Sequence, residues 1–191
     1  MGTFVEEGER LAKKANQAMA LPKPSALMAT AYHEAGHAVA NIVLGFEVTH
    51  CTIVPTDDTV GHVEHSHPIW KYGLSVRRER TTWGRRAIVT CYAGLAAEHH
   101  FCGTPFRFDE GVKHGAWADH AEALALLRKF VHARADQVVD VDAFYAALQP
   151  FQRAARELVG QQRTAIERLA QRLLSQPTLT EDEVLAAMEG R

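Results

Sequence analysis

The sequence predicts an α+β fold, mainly α-helical, with a small β-sheet beside one helix. Three observations carry that prediction. Most of the chain shows apolar residues at helical spacing, in tracts of three turns or more. Two short segments between residues 46 and 68 read instead as strands, the first rich in Val, Thr, Ile and Phe, and each ends in proline. A length of 191 residues suits one domain with a short appendage, and it can bury a core without disulfides or structural metal.

Residues 1–24 read as that appendage. Phe4, Leu11, Ala15 and Met19 recur near helical spacing over residues 3 to 19, and the prolines of "LPKPS" then make a stiff connector. The domain proper spans 25–191. Ser25 is an N-cap for a helix over about 26 to 44, with Gly45 as its stop. Ala35, Val39, Ile42 and Val43 line one side of it and His33, His37, Ala40 and Leu44 another, so it reads as buried. "FEVTHCTIVP" is a strand ended by Pro55, "TDDTVG" a turn, and "HVEHSHP" a second strand at a sheet edge, ended by Pro68. "IWKYGLS" is irregular. A helix follows from about Arg77 to Phe101, with Gly103 beyond its end, and "TPFRFDEGVKHG" is a loop. Residues 119 to 133 form the next helix. A long helical tract covers about 142 to 175 and bends near Pro150 and Gly160. Thr180, with Glu183 three residues on, opens a last helix through a capping box.

Composition narrows the function. A formal net charge of -2 gives no general attraction to nucleic acid or to an anionic membrane. The longest uncharged apolar run, "AIVTCYAGLAA", is well short of the roughly 18 to 20 residues a membrane span needs. No secretion signal is visible at the N-terminus. Cys51, Cys91 and Cys102 are too few and scattered for a disulfide framework, and they suit a reducing cytoplasm.

The chemistry concentrates in "TAYHEAGHAVA", residues 30 to 40. His33 and His37 lie four apart, hence on one helix face with Cβ atoms about 5 to 6 Å apart. Two imidazoles so placed can bind one zinc ion, and Glu34 can take a proton from water activated there. This is the H-E-x-x-H arrangement of zinc proteases. Two ionisable histidines facing a core have little other rationale, because their burial costs stability unless they are paired. A catalytic zinc needs a third protein ligand. The extended helix pattern with a third histidine is absent, since position 43 is Val43. Glu64, Glu98 and Asp119 are the carboxylates that could serve, and spacing does not choose between Glu98 and Asp119. Asp119, with Glu122 three residues on, also reads as a helix N-cap.

"TAYHEAGHAVA" closely resembles the zinc motif in the protease domain of the FtsH-type ATP-dependent zinc metalloproteases, and the likeness continues in order. "VTHCTIVP" resembles the family's strand after the zinc helix. "AIVTCYAGLAAEHHFCG" resembles its apolar helix ending in Gly-x-x-Ala-Glu. "GAWADHAEA" resembles the segment holding its aspartate ligand, and "LVGQQRTAIERLAQRLLSQPTLTEDEV" its C-terminal helices. Together these cover about residues 25 to 188. The resemblance implies a zincin-like fold with the sheet beside the H-E-x-x-H helix. It implies Zn2+ held by His33, His37 and Asp119, Glu34 as general base, and Glu98 as a carboxylate orienting a ligand. The sequence has no G-x-x-x-x-G-K-[ST] phosphate loop. The expectation is therefore a free-standing cytoplasmic metallopeptidase without the family's AAA+ ATPase. Its substrates would be short peptides or unfolded protein segments, and a separate unfoldase is a candidate partner. An oligomer is compatible with the family's hexameric rings. The family's Ser-Asn-Asp is here Trp117-Ala118-Asp119, and "HVEHSHPIWKYGLS" matches only loosely, so substrate preference does not carry over.

Two other classes compete: a metal-binding regulatory or adaptor module with little turnover, and a non-peptidase hydrolase on the same metal. Elsewhere, His62, His65 and His67 suggest a second metal site but read better as edge-strand histidines. If their strand borders the site, as the resemblance implies, its open edge could pair with an extended peptide. Five arginines between residues 77 and 86 read as a solvated helix start. Cys91 and Cys102 lack a partner pattern for a thiol nucleophile.

Overall fold

The computed structural model describes residues 25–56, 61–66, 77–106, 114–131 and 141–191. The expected N-terminal helix and connector, the "TDDTVG" turn, Pro68 and "IWKYGLS" fall on or largely within residues outside that set. The described chain is mainly helical with one small antiparallel sheet, as the patterning predicts. Its elements are α1 (Ala26–Val43), β1 (Glu47–Thr52), β2 (His62–Ser66), α2 (Arg77–Cys102), α3 (His114–Leu126), a π-helical turn (Leu127–Val131), α4 (Val141–Gln161), α5 (Arg163–Ser175), β3 (Thr178–Thr180) and α6 (Glu181–Glu189).

α1 is the central element. The Ser25 hydroxyl accepts the Met28 N–H at 3.2 Å and so caps its start. Beyond Leu44, Gly45 turns the chain out of the helix with a φ of 88°. Between Ala31 and Asn41 nearly every side chain is buried, because α2, α5 and β1 pack around it. Its ends are less covered than the patterning suggests: Leu27 and Val43 are exposed. α1 and α2 approach closely where Gly36 faces the backbone of Ala93 and the Cβ of Ala97. The main core continues through Ile88, Tyr92, Leu127, Leu148, Ile166 and Leu169.

The sheet order is β2-β1-β3, all antiparallel. Cys51 and Val63 face the core, paired across the ladder, with Leu179 from β3 beside them. β3 is an addition to the expected fold. Three boundaries also move. α3 begins at His114, five residues before Asp119, so Asp119 sits within the helix and is not an N-cap. Its last turn loosens into π geometry over Leu127–Val131. The long tract is two helices meeting at Gln162: its N–H closes the α4 ladder on Leu158 O, and its carbonyl opens the α5 ladder to Ile166. Pro150 lies inside α4 and does not end it. The final helix starts as expected: the Thr180 N–H donates to Glu183 Oε2 at 2.9 Å, and Thr180 and Glu183 complete a capping box. Among the described residues no helix is long and apolar enough to cross a membrane.

Candidate metal centre

His33 and His37 leave α1 one turn apart and meet Asp119 from α3, more than eighty residues on. His33 Nε2 lies 3.1 Å and His37 Nε2 3.2 Å from the same Asp119 Oδ2, and the two Nε2 atoms are 3.0 Å apart. The three form the one group among the described residues whose ligand atoms converge closely enough to hold a metal ion. Glu98, the rival carboxylate, approaches from the other side of the ring. Its Oε2 lies 3.1 Å from His33 Nδ1, and its Oε1 accepts the Thr104 hydroxyl at 3.1 Å. Glu64 lies apart from the cluster, paired with His50 at 2.9 Å.

These contacts fix the imidazole tautomers. A carbonyl oxygen only accepts, so His37 Nδ1, 2.8 Å from Thr90 O, carries a hydrogen and donates it. His33 Nδ1 likewise donates to the Glu98 carboxylate. In the neutral rings both Nε2 atoms then present lone pairs. Two lone pairs and a carboxylate oxygen thus converge within 3.0 to 3.2 Å with no donor among them. Such an arrangement repels itself unless positive charge sits among the three atoms, either a metal ion between them or a proton on one Nε2. The spacing fits an ion: ligands at about 2.0 to 2.1 Å around a tetrahedral zinc are roughly 3.3 Å apart.

The local electrostatics agree. Burial works against a charged His33, yet the hydrogen bonds it donates to Asp119 and Glu98 overcome it and push its pKa up to about 10. His37 is also raised, with burial opposed chiefly by the Asp119 charge. Burial alone would raise Asp119, but the two imidazoles hold its carboxyl well below the usual range. The pocket is therefore set to accept positive charge.

Glu34 is buried, at 5% exposure, and its burial raises its pKa despite the neighbouring imidazoles. Gly61, just before β2, closes over it: a Cβ there would lie 2.7 Å from Glu34 Oε1. Gly94 of α2 does the same for the metal ligands, since a Cβ at that position would fall on His37 Nε2 and 2.7 Å from His33 Nε2.

All five expected site residues thus occupy one region, with Asp119 on the ligand side and Glu98 behind His33. Sequence reasoning missed Thr90, Gly94, Gly61 and Thr104. Thr90, Gly94 and Glu98 carry a readable signal, because they recur every four residues and form one stripe on α2. Of the second-metal trio, His65 packs its ring against Phe46, His62 is exposed, and His67 lies outside the described residues. No family model matches the chain, and no curated protein matches it.

Proposed function

We propose that this protein is a zinc metallopeptidase with an FtsH-type, zincin-like protease domain, cleaving short peptides or unfolded segments. One observation carries the proposal. Two imidazole lone pairs and a carboxylate oxygen converge with both Nδ1 positions already committed, beside a buried glutamate. The donor set of two nitrogens and one oxygen is that of catalytic zinc sites, which keep a fourth position open.

Zinc bound there would polarise the scissile carbonyl and acidify water. The protein's own residues do the rest. Glu34 accepts the proton of the attacking water and returns it to the leaving amine. Glu98 and Thr90 O hold the two rings by their Nδ1 hydrogens. β2 is an outer strand of the described sheet, and an extended peptide could pair along its outer edge.

The test is metal content and peptide turnover in the wild type and Glu34→Gln. The wild type is expected to hold about one equivalent of zinc and to cleave casein or a peptide library. Glu34→Gln should keep the zinc and lose about 10²- to 10⁴-fold in rate. Stoichiometric zinc with no cleavage would favour the adaptor module, and absence of bound zinc would end both readings.

A further inference from the structure

We propose that the outward face of the β1–β2 ribbon carries a second metal site, formed by His50, His62 and Glu64, for a borderline transition ion such as Zn2+, Ni2+ or Cu2+. Along the chain the histidines of this hairpin suggest a cluster of His62, His65 and His67. Across the ladder the grouping is different. His50 pairs with Glu64 and Thr52 with His62, while Cys51 and Val63 between them point into the core. His50, Glu64 and His62 therefore share the opposite face, His50 and His62 as diagonal neighbours, a separation aromatic side chains can bridge.

The contacts on that face already approach coordination. His50 Nδ1 lies 2.9 Å from Glu64 Oε2, a separation that two ligands of one ion adopt. The His50 and His62 rings are 6.2 Å apart between centroids, inclined at 62°. Two imidazoles on one ion, each bound at about 2.0 to 2.1 Å, have centroids roughly 5 to 6 Å apart depending on the angle at the metal. The ligand atoms of the three do not yet converge, so the exposed His62 has to turn toward the other two to complete the site. His62 and Glu64 are solvent-exposed and His50 partly so, so the ion keeps water on its open side. Imidazole and carboxylate together suit a borderline ion more than calcium or magnesium. An ion there would tie β1 to β2 next to Gly61, which abuts Glu34, and so link free metal to the strand bordering the first centre.

The test is equilibrium dialysis of the full chain against Zn2+, counting bound equivalents. Three proteins are compared: wild type, a His50→Ala/His62→Ala double variant, and a His33→Ala/His37→Ala double variant. The wild type is expected to take up two equivalents, the second more weakly. The 50/62 variant should saturate at one, and the 33/37 variant should retain the weaker one. Glu64→Gln, which leaves both imidazoles in place, should weaken the second equivalent at least about tenfold. The proposal is overturned if the 50/62 variant keeps the second equivalent, or if wild type and that variant both bind one. The site does not depend on the peptidase reading: were the first centre to hold nothing, the wild type would bind a single equivalent that the 50/62 substitutions remove.

Discussion

Replacing Gly94 with alanine tests the metal centre without touching a ligand. The added methyl would fall on His37 Nε2 and 2.7 Å from His33 Nε2, the latter about 0.8 Å inside an ordinary contact of roughly 3.5 Å. α2 cannot readily withdraw, because Thr90 O on the same helix holds His37 Nδ1 at 2.8 Å. The imidazoles must swing instead, by more than the about 0.5 Å within which a site has to be held. Two terms oppose each other in the metal-free protein. Alanine in a helix interior gains up to about 1 kcal/mol over glycine, whereas overpacking costs about 1 to 3 kcal/mol. The net loss is about 2 kcal/mol at most, and the melting midpoint should fall by no more than about 8 °C. Zinc affinity should fall about 10- to 100-fold, the loss typical when the groups orienting a ligand are disturbed. A chelator competition titration reads the affinity, and circular dichroism melts of the metal-free protein read the stability. Gly94→Ala protein that binds zinc as tightly as the wild type would refute the claim that Nε2 of both rings faces the ion.

The same substitution at Gly160 should have the opposite sign. Nothing lies within 4 Å of a Cβ there, so Gly160→Ala should gain about 0.5 to 1 kcal/mol from helix propensity and raise the melting midpoint by about 1 to 4 °C. Glu98→Ala frees the Nδ1 hydrogen of His33 and should weaken zinc binding about 10- to 100-fold, whereas Glu98→Gln keeps an acceptor and should lose less; the chelator titration ranks the two. Glu183 has its pKa lowered, first by the Thr180 backbone N–H and then by the Gln176 amide. A lowered folded pKa contributes stability above the unfolded value and loses it as pH falls through the folded one. The stability difference between wild type and Glu183→Gln should therefore be present at pH 7 and disappear on acidification below pH about 4, as followed by thermal melts across pH.

What the sequence reveals follows from the range of each signal. Capping and periodicity are local, so Ser25, Gly45 and the Thr180–Glu183 box are legible, and the H-E-x-x-H face is legible from helical spacing alone. β3 is not, because three residues show no period and its pairing with β1 spans more than a hundred positions. Nor does spacing rank Asp119 against Glu98, since both are remote carboxylates on helices and both touch His33. They differ in which ring nitrogen they meet: Nε2 for Asp119 and Nδ1 for Glu98. The stripe on α2 explains why. Thr90, Gly94 and Glu98 repeat every four residues, as do His33 and His37 on α1. Glu98 meets His33 and Thr90 meets His37, so the two helices must run antiparallel at the site, with Gly94 at the level between. One helix supplies lone pairs in register with the acceptors and the gap supplied by the other. Asp119 comes from a third element, α3, and meets Nε2 of both rings, while Glu98 and Thr90 of α2 hold the two Nδ1 atoms.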